Sequence, residues 1–351
     1  MKLLYILESA IEAGASDIHI TVGVPIVLRV HGRLSYLGDK VVTGEIAKKL
    51  VGELTSDAQM KVLYSKGEVD FSYSLPGKQR FRVNGYRQRN SFAAALRLIN
   101  NEIPTLEQLG LPDIVKDLTE KNSGIILVTG PTGSGKSTTL ASMIDLINQT
   151  RGKHIVTLED PIEYLFKHNK SIVNQREVGT DTLNFSNALR ASLRQDPDVI
   201  LVGEMRDHDT ISVALTAAET GHLVLSTLHT VGAAATINRV IDIFPPNQQD
   251  QIRFQLSMTL QAVISQQLIT RKDERGRAAA FEVMIANPAV RNMIREGKVH
   301  QINNVIQTNA SKGMKTMDDA LLDLYNKALI ERQDVFERCV DIDYVRKAIA
   351  N

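Results

Sequence analysis

The sequence predicts an α/β protein in which a parallel-sheet domain follows a smaller α+β domain. From residue 123 onward, nearly continuous apolar runs at 125–129, 154–159, 199–203 and 223–227 alternate with helical patterns. Such alternation is typical of a parallel sheet covered by helices on both faces. In the first 100 residues, short segments of alternating polarity surround a helical segment, which indicates a mostly antiparallel sheet. A glycine-rich segment between the first apolar run and its helix is the third observation.

Length and composition restrict the class of protein. A chain of 351 residues has room for about two domains, and with 43% hydrophobic and 23% charged residues it should be globular. The formal net charge of +1 gives no overall attraction to nucleic acid or anionic lipid. The single cysteine, Cys339, excludes an internal disulfide and a thiolate zinc cluster, which fits a reducing cytoplasm. No apolar run approaches the roughly 20 residues that span a bilayer, so no transmembrane segment is expected.

The smaller domain is predicted over residues 1–100. It begins with a helix rather than a signal peptide, because Leu3, Leu7 and Ala10 follow a helical period and acidic residues interrupt the run. The predicted elements are strands at 18–22, 26–30, 69–75, 79–87 and 92–99 and a helix around 43–64. Prolines and glycine over 101–122 predict a linker with one short helix. The second domain then covers 123–351, where helices beyond residue 246 are interrupted by a predicted hairpin.

Two arginines are predicted to lie opposite each other in the smaller domain. If Arg89 and Asn90 form a two-residue turn between strands 79–87 and 92–99, Arg82 faces Arg97 across the hairpin. Like charges so placed repel unless an anion sits between them, and the γ-phosphate of a nucleotide is such an anion. Alternatively the register differs and both side chains pair with surface acids.

Residues 130–138 carry the most specific motif in the chain. They read Gly130, Pro131, Thr132, Gly133, Ser134, Gly135, Lys136, Ser137 and Thr138, and the first eight match GxxxxGK[ST]. A predicted strand runs into the motif and a helix begins at Lys136, so backbone N–H groups and the helix dipole converge on phosphate. In this motif Lys136 reaches the β- and γ-phosphates and the Ser137 hydroxyl ligates Mg²⁺. The sequence therefore predicts a nucleotide site, with ATP favoured because no NKxD guanine motif occurs.

Acidic and histidine side chains follow the other strands of the predicted sheet. They are Glu159, Asp160 and Glu163 after the strand at 154–158, Glu204 after 199–203, and His222 and His229 on either side of 223–227. Ligands collect at the carboxyl ends of parallel strands, so we expect these groups near the glycine-rich loop. We assign Glu204 to Mg²⁺ through a coordinated water, Glu163 to the attacking water, and His229 to sensing the γ-phosphate. Taken singly, each acid could instead cap a helix or pair with an arginine.

Taken in order, these motifs resemble those of a known protein family. GPTGSGKST at 130–138, TLEDPIEY at 157–164, LRQDPDVILVGEMRD at 193–207 and GHLVLSTLHT at 221–230 look like the secretion-type hexameric ATPases. VGEMRD and PAVRNMI (288–294) resemble the type IV pilus retraction ATPases, the PilT family. The resemblance extends from SDIHI at 16–20 to the C-terminal helices.

The resemblance implies a fold and an activity. The fold is a PAS-like N-terminal domain and a RecA-like ATPase domain, assembled as a homohexamer in which Arg82 and Arg97 act on the ATP of a neighbouring subunit. The activity is ATP hydrolysis that drives pilin disassembly, pilus retraction and twitching motility. The implied location is cytoplasmic, peripheral at the inner face of the cytoplasmic membrane, where the pilus machinery and its inner-membrane platform protein would be the partners.

Other functions stay open at the level of sequence. A pilus extension or type II secretion ATPase would share the ATPase motifs, although the four-cysteine metal loop usual in that group is missing here. An accessory retraction ATPase or a nucleotide-gated scaffold that does not hydrolyse ATP is also compatible with the loop. A nucleic-acid translocase is disfavoured, because the chain is nearly neutral and contains no tryptophan for base stacking.

Overall fold

A computed structural model of the chain describes residues 2–30, 32–75, 79–99, 102–273 and 275–350. The chain divides into two units: the first contains Met1–Glu102 with Glu163–Leu165, and the second contains Ile103–Ile162 and Phe166–Asn351. The predicted boundary between residues 100 and 101 lies outside the described residues.

The first unit is an α+β module around one six-stranded sheet. Its elements are α1 (Leu3–Glu12), β1 (Ala15–Ile20), β2 (Ile26–Val30), β3 (Arg33–Leu37), α2 (Gly44–Leu54), α3 (Asp57–Lys66), β4 (Glu68–Leu75), β5 (Gln79–Gln88) and β6 (Ser91–Leu98). The strand order is β3-β2-β1-β6-β5-β4, and each neighbouring pair is antiparallel. The antiparallel sheet confirms the sequence prediction for this region. β3 was not predicted, because its side chains are mostly exposed and its pattern carries little alternation.

The single helix predicted around 43–64 is wrong, since the structure has two helices there. Thr55 is in an extended conformation after α2 ends at Leu54. The Ser56 hydroxyl then accepts from the Gln59 backbone N–H, and the Gln59 side chain accepts from the Ser56 N–H, which forms a capping box for α3. The break therefore follows from local capping chemistry, which a continuous apolar period does not reveal.

The β5–β6 hairpin has the predicted turn and register. Arg89 and Asn90 both have positive φ angles, of 46° and 61°, as a two-residue type I′ turn requires. Arg82 pairs directly with Arg97 across the two strands. The predicted juxtaposition of the two arginines is confirmed.

The second unit is an α/β module. Its elements from α4 to α8 are α4 (Ile114–Thr119), β7 (Gly124–Thr129), α5 (Lys136–Thr150), β8 (His154–Glu159), β9 (Ile172–Glu177), α6 (Phe185–Ser192), β10 (Val199–Val202), α7 (His208–Glu219), β11 (Leu223–Leu228) and α8 (Ala233–Asp242). There follow α9 (Pro246–Thr259), β12 (Leu260–Thr270), β13 (Arg277–Ile285), α10 (Pro288–Arg295), α11 (Ile302–Thr308), α12 (Met317–Asn326), α13 (Arg332–Arg338) and α14 (Ile342–Ala350).

One seven-stranded sheet organises this unit, in the order β13-β12-β7-β11-β10-β8-β9. All residues of β7, β10 and β11 are buried, as expected for parallel strands covered on both faces. Two features of this sheet were not predicted. The strand β9 was missed because its sequence, IVNQRE, has several polar residues. The C-terminal hairpin was predicted, but not that it joins the same sheet, with β12 parallel to β7. Within the described ranges, no helix has the length and apolar character needed to cross a membrane.

Candidate active site

The glycine-rich loop connects β7 to the N-terminus of α5, as the motif predicts. Gly130, Gly133 and Gly135 have φ angles of 141°, 77° and 89°, values that L side chains rarely adopt. A Cβ atom on Gly130 would lie 2.2 Å from the Gln266 carbonyl oxygen, whereas one on Gly133 would meet nothing within 4 Å. The loop is thus tightly packed against β12 at its start and open at its middle.

Polar groups inside the loop fit a bound phosphate. The Lys136 ammonium donates to the carbonyls of Gly130 and Pro131, at 2.9 Å each. Lys136 is only 8% exposed, so this charged group is buried. The Ser134 hydroxyl is buried and has no hydrogen-bond partner among the described residues. A buried hydroxyl without a partner is costly, and the phosphate that this loop type binds would satisfy it. The residues present therefore fit the nucleotide that the motif implies.

Gln266 on β12 fixes the shape of the loop through two hydrogen bonds. Its amide oxygen accepts from the Thr139 hydroxyl at 2.9 Å, and its amide nitrogen donates to the Ser134 carbonyl. With that carbonyl held toward β12, the loop's N–H groups are left for phosphate. The sequence analysis did not identify Gln266. The sequence feature that could have identified it is the pair of adjacent glutamines, Gln266 and Gln267, in a mostly apolar strand; the structure buries both.

Glu204 and His229 come together at the ends of neighbouring strands β10 and β11. The Glu204 carboxylate lies 3.6 Å from His229 Nε2 and 2.7 Å from Arg206 Nε. β11 is also the neighbour of β7, the strand that enters the phosphate loop. The strand order thus supports the prediction that groups following β10 and β11 share the sheet edge at which β7 ends. Arg206 was not predicted, and it neutralises Glu204 in this structure.

Side chains of β8 and β9 hold the acidic segment that follows β8. Glu159 accepts from the Thr157 hydroxyl at 2.6 Å and from the Gln175 amide at 3.2 Å, so it stabilises the β8–β9 edge. The buried Glu177 accepts from the Ile162 backbone N–H at 2.9 Å, immediately before Glu163 in the chain. Glu177 therefore fixes the backbone that leads into Glu163, a role absent from the sequence motif.

A second buried carboxylate anchors the segment that follows His229. Glu282 on β13 accepts from the Ala233 N–H, the first of α8, at 2.6 Å and also from the Met317 N–H at the start of α12. Ser265, opposite Glu282 on β12, accepts from the Gly232 N–H at 2.9 Å. Burial raises the pKa of Glu282 above 4.5, more than these hydrogen bonds lower it. At the other end of β11, His222 Nδ1 lies 2.9 Å from the Ala217 carbonyl, in keeping with a structural role.

The arginine pair belongs to the first unit. Arg97 Nε donates to Asp17 Oδ1 at 2.8 Å, so the alternative that the sequence left open, pairing with an acid, holds for Arg97. Arg82 forms no ion pair within the described residues, although it lies directly beside Arg97. The predicted register was correct and the alternative register is excluded, whereas Asp17 was not identified as the acid that pairs with Arg97.

No group of three or more His, Cys, Asp or Glu side chains in the described ranges could by itself hold a metal ion. The Mg²⁺ that accompanies a nucleotide does not need such a cluster, because it retains waters and takes phosphate oxygens as ligands. A serine hydroxyl and one carboxylate suffice from the protein, and Ser137 and Glu204 are of those types.

The sequence and the fold both match known proteins. Residues 2–330 match the model of the type II/IV secretion system protein family. The type IV pilus retraction ATPase PilT of Pseudomonas aeruginosa is 48% identical over 338 residues, 96% of this chain and 98% of that protein. A twitching motility protein of Neisseria gonorrhoeae is 49% identical over 322 residues, 92% of this chain and 86% of that protein. The crystal structure of the pilus retraction motor PilT with bound ADP, 51% identical, covers 99% of both chains with a TM-score of 0.93. The chain belongs to the type II/IV secretion system protein family and, within it, to the PilT family of type IV pilus retraction ATPases.

Proposed function

We propose that this protein hydrolyses ATP and uses the energy to retract type IV pili, which produces twitching motility. The observation that carries the proposal is the glycine-rich loop held by Gln266, in which Ser134 Oγ is buried without a partner among the described residues and Lys136 points into the loop. The names of the relatives, a pilus retraction ATPase and a twitching motility protein, support the mechanical output.

The loop would hold the phosphates of ATP together with the Mg²⁺ that accompanies them. Backbone N–H groups of residues 130–138 and the N-terminus of α5 surround the phosphates. Lys136 exchanges the Gly130 and Pro131 carbonyls for the β- and γ-phosphates, which are stronger acceptors. Ser137 would ligate Mg²⁺ directly and Glu204 through a water, and the bound ion supplies neutralisation of the charge that develops on the phosphates.

Three side chains act on the γ-phosphate and its attacking water. Glu163 positions and polarises that water, with the backbone before it fixed by Glu177. His229 acts as a γ-phosphate sensor by donating a hydrogen bond to it. Because His229 Nε2 lies 3.6 Å from the Glu204 carboxylate, a shift of the His229 ring would also affect Glu204. Arg206 forms an ion pair with Glu204, the carboxylate that would hold Mg²⁺ through a water.

Arg82 and Arg97 stabilise the charge on the ATP of a neighbouring subunit in a homohexamer. Their side-by-side placement on β5 and β6 makes a cationic pair that attracts an anion. Arginine fingers supplied in trans increase turnover about 10³-fold or more in other phosphoryl-transfer enzymes. Assembly would then be required for activity, and hydrolysis at staggered sites would move the ring in one direction.

The motor acts on the pilus machinery at the inner face of the cytoplasmic membrane, with the inner-membrane platform protein as its partner. The AVRNMI segment, on α10, is the contact element. Arg291 from this helix donates to the carbonyls of Ser257 and Met258 at the end of α9, at 2.7 and 2.8 Å. These bonds join α9 and α10, so α10 would transmit force to the rest of the unit.

Deletion of the gene in its own host tests the direction of the motor. We expect surplus pili that do not retract and loss of twitching, because extension continues without its opposing activity. A host without pili would support an extension or secretion ATPase instead, and unchanged pili and twitching would also contradict the proposal.

Complementation with Glu163→Gln tests the chemistry. This variant should bind Mg-ATP about as well as the wild type but hydrolyse it roughly 10²-fold more slowly, since the geometry remains and the carboxylate base is lost. It should leave the deletion phenotype unchanged, whereas the exposed control Glu120→Gln should restore twitching. Loss of ATP binding in Glu163→Gln would show that Glu163 is a metal ligand or a structural residue.

A further inference from the structure

A row of charged side chains crosses four strands of the first unit. Arg29 of β2 pairs with Asp17 of β1, Asp17 pairs with Arg97 of β6, and Arg97 pairs with Arg82 of β5. Directly paired residues project from the same face of a sheet, so the four side chains lie side by side. One carboxylate balances only one of the three guanidinium groups, and the row remains cationic.

The contact between Asp17 and Arg97 leaves most of the guanidinium available. Arg97 donates through Nε to Asp17 Oδ1 at 2.8 Å, and no described group accepts from its two terminal nitrogens. The Arg97 side chain is 72% exposed, whereas that of Asp17 is 13% exposed. Asp17 Oδ2 in turn accepts from the Ser16 hydroxyl at 2.8 Å and lies 3.8 Å from Arg29 Nε. The carboxylate of Asp17, itself held by Ser16 and Arg29, therefore binds Nε of the exposed Arg97.

We propose that Asp17 is a positioning residue for Arg97: it fixes the arginine stem so that the terminal N–H groups point outward to a phosphoryl group. The inference rests on the proposed action of Arg97 on the ATP of a neighbouring subunit. A guanidinium presents its donors in a planar fork, and a phosphate can be bound through both terminal nitrogens while Nε stays on Asp17.

Two physical effects give Asp17 this role. An arginine side chain carries about 2 kcal/mol of rotamer entropy, and an exposed finger that is not held would lose it on each encounter with the nucleotide. In addition, Arg82 lies directly beside Arg97 and repels it, which would drive Arg97 away from the row. Asp17 opposes both effects, so the arginine is oriented before the nucleotide arrives.

The test measures steady-state hydrolysis by the assembled full-length protein. Asp17→Asn keeps the shape and removes the charge, and we expect kcat to fall about tenfold while KM for ATP changes less than about twofold, because the substitution leaves the phosphate loop unchanged. Asp17→Glu, which restores the charge on a longer stem, should recover part of kcat. The matched control is Asp70→Asn, since Asp70 lies in the same sheet but accepts from the Asn84 amide, at 3.2 Å.

A double-mutant cycle separates this inference from the proposed role of Arg97. Arg97→Ala should nearly abolish hydrolysis, and adding Asp17→Asn to it should cause no further loss, because Asp17 acts only through Arg97. Full activity of Arg97→Ala would overturn the finger role itself. An inactive Arg97→Ala together with a fully active Asp17→Asn would leave the finger role standing and overturn the positioning role. An equal loss from Asp17→Asn with and without Arg97, or a lower melting temperature with unchanged kcat, would also overturn it.

Discussion

In the proposed mechanism, the phosphate loop of the second unit and the arginine row of the first unit act on the same anion, and the structure orders them by different means. The loop relies on backbone groups in glycine conformations and on a buried amide, Gln266, that holds the Ser134 carbonyl. The row relies on exposed side chains, with Arg97 held at one nitrogen by Asp17. The loop is therefore preorganised by packing, whereas the row is preorganised by one ion pair that solvent and salt can weaken. We expect changes in the loop to affect binding and changes in the row to affect turnover.

The largest effect in this comparison should come from the loop lysine. Lys136→Ala removes the cation on the β- and γ-phosphates, and we expect both ATP affinity and hydrolysis to fall, the latter by about 10²-fold or more. Binding of a fluorescent ATP analogue and phosphate release measure the two quantities. The exposed control Lys327→Ala should match the wild type. Near-normal turnover of Lys136→Ala would contradict the assignment of the loop as the catalytic nucleotide site.

Both regions were predicted from the sequence where neighbouring residues determine their geometry. The loop was predicted in full because its chemistry is local: glycines, lysine and serine at fixed spacing specify strand, turn and helix. The register of Arg82 and Arg97 was predicted as well, since the turn residues Arg89 and Asn90 determine it.

Contacts between distant parts of the chain were not predictable. Asp17 reaches Arg97 from 80 positions away, and Gln266 reaches Thr139 from 127 positions away. Glu282 binds the Ala233 amide across 49 positions. Each is a polar residue in a strand whose partner depends on strand order, and strand order does not follow from periodicity or from a local motif. The residues that support the loop and the arginine row therefore required the structure, whereas the conformation of the loop and the register of the two arginines did not.

A smaller effect should come from the amide that shapes the loop. Gln266→Ala leaves the Ser134 carbonyl and the Thr139 hydroxyl without their partner, which should destabilise the protein by about 1–3 kcal/mol. ATP affinity should fall about tenfold, equivalent to about 1.4 kcal/mol, because the loop N–H groups are less well ordered. Isothermal titration and thermal unfolding measure the two effects.

The control for Gln266 lies on the same strand. Gln261 donates to the Ser123 carbonyl at 3.1 Å, away from the loop. Gln261→Ala should lower stability without changing ATP affinity. If both variants weaken ATP binding equally, the effect reflects destabilisation of the whole β12 strand rather than loss of the hydrogen bonds between Gln266 and the loop.

Two carboxyl groups that support these regions have pKa values displaced in opposite directions. Burial raises the pKa of Asp17, but hydrogen bonds from Arg97 and Ser16 and the charge of Arg97 outweigh it, so the pKa lies below 3.8. Burial raises the pKa of Glu282 above 4.5, with a further contribution from the nearby charge of Asp318. The arginine row thus favours a charged carboxylate, whereas the interior of the ATPase unit penalises one.

The smallest predicted effect is an opposite dependence of stability on pH at these two carboxyl groups. For Glu282, the folded protein holds the proton more tightly than the unfolded chain. Its contribution to stability therefore declines as pH rises from about 4.5 through the higher folded-state pKa. For Asp17, the folded pKa is lower, so its contribution is present above pH 3.8 and is lost as pH falls through the folded pKa.

Melting temperatures of the wild type, Glu282→Gln and Asp17→Asn from acid to neutral pH test both signs. Relative to the wild type, Glu282→Gln should gain stability with rising pH and Asp17→Asn should lose it. Parallel trends in Glu282→Gln and Asp17→Asn would mean that burial, rather than the Arg97 partner, dominates at Asp17, and the ion pair would then be too weak to hold the arginine in place.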